Sequence, residues 1–318
     1  MKWLARIALV LVIVALPLYS WFVTTSEGPE GAWPIDMVEV RMLAKSVPGD
    51  LSIDIRVEQV ASFSVPSHGI VAGSGWQNRG MAIYAYQLVF PHSTGVIDTG
   101  ITEEQAKNDM RSTDWDATAF KRIQDAVVNA GFTVLTHEHA DHLGGLSTHP
   151  APEKAFAHAL LTPEQIANRK GQQPHPLSEQ AIALLKPLVY DTYTAVAPGV
   201  VLIKTPGHSL GSQLVYVKRA DGIELLFLGD VAWQMRNVDE VRERARLVTT
   251  MLGEDRAKVL QQLQTFNDLK KSDPALVQVP GHDPEVVEAL IAKGVMHKEF
   301  VTAGPAPTTD APPSGASP

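Results

Sequence analysis

Residues 137 to 142 read His137-Glu138-His139-Ala140-Asp141-His142, so three histidines and two acidic side chains occupy six positions. Imidazole nitrogen and carboxylate oxygen are the ligands that zinc and related dications prefer in proteins. One short segment rarely completes such a shell by itself, so further ligands are expected elsewhere in the chain. The segment therefore predicts one part of a metal site.

Four more residues stand in a setting that suits the same site. They are Asp98 in Ile97-Asp98-Thr99-Gly100, His208 in Pro206-Gly207-His208, Asp230 in Leu228-Gly229-Asp230 and His282 in Pro280-Gly281-His282. Each follows an apolar run typical of a β-strand and lies close to a glycine or another candidate. A lone histidine is more often a hydrogen-bonded core or surface residue, but that explanation does not suit an ordered set. Loops at strand ends hold ligands on a rigid backbone, which predicts a site assembled from several such loops.

With these motifs in this order, roughly residues 51 to 300 resemble the metallo-β-lactamase superfamily. The resemblance implies an α/β fold, an αβ/βα four-layer sandwich, with two zinc ions at one edge. The implied ligands of the first zinc are His137, His139 and His208, and those of the second are Asp141, His142 and His282. Asp230 would bridge both ions. Asp98 would orient the histidine-rich loop without binding metal.

Two zinc ions that share a carboxylate would activate water, because zinc lowers the pKa of bound water to about 7 in favourable sites. The resulting hydroxide would attack an ester-like or lactone carbonyl, and Asp141 is placed to handle the proton as well as to bind metal. Phosphodiester, phosphotriester or thioester hydrolysis at the same metals is the alternative reaction, and a non-catalytic metal-binding module is the alternative class. The sequence lacks a Gly-x-Ser-x-Gly motif, which argues against a covalent serine route.

Cysteine is absent from the sequence, so disulfides and thiolate ligands are excluded. Within the superfamily, this argues against the zinc β-lactamases that use a cysteine ligand. The pattern is more similar to the single-domain lactonases that open acyl-homoserine lactones, which keep the bridging aspartate. Those enzymes place a tyrosine three residues after that aspartate, where this chain has Trp233. Trp233 and Trp76 are expected either to form an apolar wall of the site or to belong to the core.

Several elements must position these residues. Phe132 to Leu135 is predicted to be a buried strand that delivers the histidine-rich loop. The helix before it is expected to begin at Thr113 or Asp114 and to end near Ala130. Thr162-Pro163-Glu164-Gln165 predicts a helix with a capping box, and Asp283-Pro284 predicts another helix start. A glycine-rich loop over residues 67–76 is expected either to fold over the site or to be an ordinary hairpin loop.

The N-terminus pairs Lys2 and Arg6 with a largely apolar run from Ile7 to Val23. The charge order predicts that the rest of the chain lies outside the cytoplasm, at the cell membrane, in a periplasm or secreted. Residues 1–25 are predicted to be a membrane anchor, with a cleaved signal peptide or a buried core helix as alternatives. Residues 26–50 are predicted to be a tether. The partners expected are a small-molecule substrate and, through this segment, a membrane.

The formal net charge is −8, and it becomes −10 without Lys2 and Arg6, since 25 basic residues then face 35 acidic ones. An acidic body argues against nucleic acid as a partner. The hydrophobic content of 45% allows a large core in one domain, predicted over residues 51–302. Residues 303–318, which contain Ala, Pro, Thr, Ser, Gly and one Asp, are predicted to form a disordered tail.

Overall fold

The computed structural model describes residues 2–301, and these contain two β-sheets that pack face to face. The first sheet has six strands in the order β11-β1-β2-β3-β4-β5. Their bounds are β1 Asp54–Pro66, β2 Asn78–Val89, β3 Thr94–Ile97, β4 Phe132–Val134, β5 Ala159–Leu160 and β11 His297–Lys298. β1 to β3 are antiparallel neighbours, whereas β3, β4 and β5 run parallel.

The second sheet has five strands in the order β10-β9-β8-β7-β6. Their bounds are β6 Tyr193–Ala197, β7 Val200–Lys204, β8 Gln213–Lys218, β9 Glu224–Gly229 and β10 Leu276–Pro280. β9 pairs in parallel with β10 and antiparallel with β8, which is in turn antiparallel to β7. The carboxyl ends of β7, β9 and β10 therefore meet at one edge of this sheet.

Apolar side chains from both sheets form the central core. Tyr86 and Phe132 of the first sheet share this core with Val215 and Phe227 of the second, and the rings of Tyr86 and Phe227 lie 4.8 Å apart. The strands are buried on both faces, because the opposite face of each sheet packs against helices. This double burial explains why β2 and β8 are nearly continuous apolar runs.

Helices cover both outer faces. Those over the first sheet contribute Ile123 and Leu143 to one outer core, and those over the second sheet contribute Val259 and Leu263 to the other. The helices are α2 Met37–Leu43, α3 Ser67–Ile70, α4 Glu103–Asn108, α5 Ala117–Asn129, α6 Ala140–Ser147, α7 Pro152–Ala155, α8 Pro163–Ala167, α9 Glu179–Leu184, α10 Met235–Asp239, α11 Arg246–Leu252, α12 Arg256–Ser272 and α13 Pro284–Ala292. The layers run helix, sheet, sheet, helix, and the predicted α/β fold is confirmed.

The apolar run at the N-terminus is divided between two helical segments. α1 spans Lys2–Tyr19 with Pro17 inside it, and a π-helical turn follows over Ser20–Thr24. The predicted membrane anchor is not supported, since no helix within residues 2–301 is both long and apolar enough to cross a membrane. The turn instead contacts the domain: Gly73 donates its N–H to the carbonyl of Val23, and the Arg246 guanidinium lies 3.8 Å from the Trp21 ring centroid.

Part of the predicted tether packs against the domain. Asp36 caps α2 by accepting hydrogen bonds from the N–H groups of Val38 and Glu39, and Met37 and Val40 are buried in the core over the second sheet. The packed structure therefore starts before residue 51. The predicted tail, residues 303–318, lies outside the described residues.

Helix starts match the expected capping chemistry with one correction. Thr162 and Gln165 form the predicted capping box, and Asp283 caps α13. α5, however, is capped by Asp116 and not by Thr113 or Asp114. Asp114 is engaged elsewhere, because its Oδ1 accepts the backbone N–H of Ser62 in β1 at 2.8 Å. A long-range contact thus removes the earlier cap candidate.

Candidate metal centre

The histidine-rich segment joins β4 to α6 at the edge where the two sheets meet. β4 ends at Val134, His137 lies in the loop and His139 is the N-cap residue of α6, whose first turn carries Asp141 and His142. A carboxylate in the first turn is favourable next to the helix dipole. The short loop therefore directs four polar side chains to one place.

Asp98 anchors this loop from the end of β3. Its Oδ1 accepts the N–H of Thr136 at 2.7 Å, and its Oδ2 accepts the Thr136 hydroxyl and faces His142 Nδ1, both at 2.8 Å. Asp98 has a φ of 59°, a left-handed conformation that costs free energy for a non-glycine residue. These contacts offset the strain of the Asp98 backbone, because they hold both the loop and the tautomer of His142.

The first cluster brings three imidazoles and one carboxylate together. His208 follows β7, and its Nε2 lies 3.2 Å from His137 Nε2 and 2.9 Å from His139 Nδ1. Asp230 follows β9, and its Oδ2 lies 3.5 Å from His208 Nε2 and 3.9 Å from His137 Nε2. Four ligand atoms therefore converge on one point.

The second cluster lies on the other side of Asp230. Asp230 Oδ1 is 3.0 Å from His282 Nε2 and 3.3 Å from His142 Nε2. Asp141 Oδ2 completes the group, at 3.5 Å from His282 Nε2 and 3.7 Å from His142 Nε2. His282 follows β10, and its Nδ1 faces the carbonyl of Ala82 in β2 at 2.9 Å. The two oxygens of Asp230 thus face two different clusters.

The local backbone favours this close approach. A side chain at Gly281 would collide with Asp230 Oδ1, so glycine allows the β10 loop to lie against the carboxylate. Asp230 Oδ1 and His142 Nε2 are buried without a well-aligned hydrogen-bond partner, although His282 Nε2 lies 3.0 Å from Asp230 Oδ1. Buried polar atoms are normally satisfied. The unpaired atoms and the converging nitrogen and oxygen ligands fit two metal ions, one in each cluster.

Burial and neighbouring charges shift the pKa values of the histidines in the two clusters in opposite directions. Burial lowers the pKa of His137 well below its usual value and lowers that of His139 to about 4, with neighbouring imidazoles adding to the effect. Burial acts in the same direction on His142, but the carboxylates of Asp98 and Asp141 outweigh it and raise the pKa. His137 and His139 therefore present neutral imidazoles, the form that binds metal.

Asp230 keeps its charge in this setting. Burial acts to raise the pKa of Asp230, but the imidazoles of His282 and His142 outweigh burial and hold it well below the ordinary value. A carboxylate that is ionised and buried needs a compensating positive charge. Metal cations on both sides would supply that charge.

Sequence reasoning missed Glu254 and Arg244 behind His208. Glu254 Oε1 lies 2.6 Å from His208 Nδ1 and 2.5 Å from Arg244 Nη2. Burial acts to raise the pKa of Glu254, but Arg244 and His208 lower it, so the carboxylate is ionised. No local motif marks either residue, since Glu254 lies 46 positions from His208. Glu138, by contrast, turns away from both clusters and accepts hydrogen bonds from Asn168 and Ser209.

A cavity of about 330 Å³ opens onto both clusters. Its apolar lining is Phe63, Met81, Met110, Trp233, Met251 and Leu252. Trp233 therefore belongs to the wall, and its indole N–H donates to Asp230 Oδ2 at 2.7 Å. Trp76 is 61% exposed and stacks on Tyr19, outside this wall. The glycine-rich loop carries Trp76 and forms α3, and none of residues 67–76 lines the cavity.

No protein-family model matches the chain, and no curated protein matches it. Solved structures do match. An N-acyl homoserine lactone hydrolase with N-hexanoyl-L-homoserine at its catalytic metal centre superposes with a TM-score of 0.58 at 16% identity, over 75% of this chain and 96% of the other. A quorum-quenching N-acyl homoserine lactone lactonase gives 0.59 at 18% identity, over 76% and 97%.

A probable metal-dependent hydrolase from Staphylococcus aureus gives a TM-score of 0.58 at 12% identity, over 74% of this chain and 91% of that one. These solved structures have the metallo-β-lactamase fold. At such identities the match establishes the architecture. The chain has the metallo-β-lactamase fold, as the sequence motifs implied.

Proposed function

We propose that this protein is a zinc-dependent hydrolase that cleaves an ester-like or lactone bond with two zinc ions per chain. The main support for this proposal is the position of Asp230. Its two buried oxygens face two separate clusters of histidine and aspartate beneath an apolar cavity. A carboxylate shared between two ligand sets can hold two metal ions close together, as a two-metal hydrolytic site needs. The metallo-β-lactamase fold of the chain supports the same class of reaction.

In this proposal, the ligands form two groups around Asp230. The first zinc would be held by His137, His139 and His208, and the second by Asp141, His142 and His282. When bound, the two ions would activate a water molecule and polarise the carbonyl oxygen under attack. Asp98 would hold His142 and the loop without touching either ion.

The chain also supplies a group for the proton. Asp141 lies at the mouth of the second cluster and lines the cavity, with 8% of its surface exposed compared with 4% for Asp230. Hydrolysis adds water to the carbonyl carbon, breaks the bond to the leaving oxygen and places a proton on that oxygen. We assign the transfer of this proton to the Asp141 carboxylate.

The lining favours an uncharged substrate over an anionic one. Among the described residues around the cavity, Lys170 is the only lysine or arginine, and it is exposed. Apart from the metal ions, the chain would offer an anionic phosphodiester little positive charge. Trp233 offers no hydroxyl, and its N–H is engaged by Asp230. In the acyl-homoserine lactonases, a tyrosine at the position of Trp233 polarises the lactone carbonyl. We therefore expect simple lactones and carboxylic esters to be better substrates of this chain than acyl-homoserine lactones.

A substrate screen tests this proposal. Full-length protein loaded with zinc should hydrolyse neutral lactones or esters with a higher kcat/KM than phosphodiesters, phosphotriesters, thioesters or β-lactams. The His137→Ala variant, measured beside it, controls for contaminating esterases. Preferential cleavage of phosphoesters would show that the proposed substrate class, lactones or carboxylic esters, is wrong. Two bound zinc ions without turnover on any of these substrates would favour a non-catalytic metal-binding module.

We also propose that residues 26–318 lie outside the cytoplasm. The support is the charge order of the N-terminus, where Lys2 and Arg6 precede the apolar run and Glu27 and Glu30 follow it. A C-terminal fusion to alkaline phosphatase should be active, since that reporter needs export to fold. A fusion to a reporter that works only in the cytoplasm should be inactive, and the reverse pattern would contradict export.

A further inference from the structure

A buried ion pair lies directly behind His208. The side chains of Arg244 and Glu254 are both fully buried, and Glu254 Oε1 contacts Arg244 Nη2 at 2.5 Å and His208 Nδ1 at 2.6 Å. The short segment that carries Glu254 is fixed, because Glu254 donates its N–H to Thr249 and Asp255 donates its N–H to the carbonyl of Gly207. Glu254 and the loop of His208 are thus connected by backbone as well as by side chains.

A contribution to stability does not by itself explain why this ion pair is buried. Burying two charges costs free energy that their attraction often fails to recover, and apolar residues of similar volume are often as stable. Arg244 Nε and Nη1 also lack partners, as does Glu254 Oε2. The contact that distinguishes this pair is the one to His208 Nδ1, which directs the opposite nitrogen of the ring, Nε2, into the first cluster.

The same arginine reaches a second residue of the centre. The Arg244 guanidinium lies 4.7 Å from the ring centroid of Trp233, at the distance of a cation–π contact. Trp233 in turn donates its indole N–H to Asp230 Oδ2 at 2.7 Å. Arg244 therefore lies between two groups, Glu254 and Trp233, that each hold a different side chain of the first cluster.

We propose that Glu254 and Trp233 are positioning residues for the first metal, joined through Arg244. Glu254 fixes the ring and tautomer of His208, and Trp233 fixes the Asp230 oxygen that faces the same cluster. This inference rests on the proposed metal centre, but it makes no use of the identity of the substrate. It adds residues that the ligand motifs do not contain.

Metal affinity provides the test. In the full-length protein freed of metal, Zn²⁺ binding is measured by competition with a chromophoric chelator. Glu254→Ala should weaken one of the two sites by about 10–100-fold, the usual effect of losing a group behind a ligand, and leave the other unchanged. Glu254→Gln keeps an oxygen for the His208 N–H, so its loss should be smaller. The visible spectrum of bound Co²⁺ should change in the alanine variant.

Glu58→Ala is the matched control for Glu254→Ala. Glu58 is also buried and forms an ion pair with Arg122 through two contacts, of 2.5 and 2.8 Å, but it contacts no residue of either cluster. The control should lose a similar ion pair and keep both affinities. If it weakened zinc as much as Glu254→Ala, general destabilisation would explain the effect and the positioning role would be wrong.

The link through Arg244 has its own measurement. Trp233→Phe keeps a ring beneath the guanidinium and removes the N–H, so it should also weaken the first site. If Arg244 couples the two residues, the double variant Glu254→Gln/Trp233→Phe should depart from the product of the two single effects. If the double variant weakened zinc binding by the product of the two single effects, the proposed link through Arg244 would be wrong.

Two outcomes separate this inference from the proposed function. Unchanged affinities in Glu254→Ala, with two zinc ions bound and hydrolysis intact in the wild type, would overturn only the positioning role. A wild type that binds no zinc would overturn both.

Discussion

Asp230→Ala is expected to remove at least one zinc ion and to lower kcat by more than about 100-fold, beyond the 10–100-fold range typical of groups behind the ligands. The reason lies in its geometry. Its Oδ1 faces His142 and His282, whereas its Oδ2 faces His208 and His137. The substitution therefore removes a ligand and a negative charge from both clusters at once.

Asp98→Asn is the matched comparison. Asp98 contacts Thr136 and the Nδ1 side of His142 but adds no ligand atom to either cluster, so its loss should fall within about 10–100-fold and leave two zinc ions bound. Circular dichroism and thermal unfolding must first show that both variants fold, because an unpaired buried group destabilises by itself. A folded Asp230→Ala protein with two zinc ions and near-normal turnover would show that the bridging assignment is wrong.

Metal removal is expected to have the second large effect. Dialysis against a chelator should abolish hydrolysis and lower Tm, because ligands that bind only the folded state stabilise it. At free zinc about 100 times Kd, one site contributes about 2.7 kcal/mol, or roughly 5–11 °C in Tm for a domain of this size. Excess zinc should restore both, whereas magnesium should not, since it prefers oxygen ligands.

The eight candidate residues of the centre were predictable because their signals are local. His137, His139, Asp141 and His142 share one segment, and the other four each follow an apolar strand and lie within two residues of a glycine. Parallel strands and their neighbours bring such ends to one edge of a sheet. The resemblance to a known superfamily supplied the order of the layers, which periodicity alone does not determine.

Other features depend on contacts that are distant in sequence. Glu254 and Arg244 sit in no motif, and their role exists only because the loop before α12 folds behind His208. Asp116 replaces Asp114 as the cap of α5 because Asp114 is held by Ser62. The helix Met37–Leu43 is only seven residues long, too short for its periodicity to stand out from a tether.

In the proposed mechanism, this chain works with two metal ions that share Asp230. The most direct measurement is a titration of the metal-free full-length protein with zinc, in which bound metal and hydrolysis of the best substrate are followed together. Binding should saturate at two equivalents per chain, with full turnover reached only when both are bound. Saturation at one equivalent with full turnover, or hydrolysis that persists without metal, would contradict the proposed mechanism.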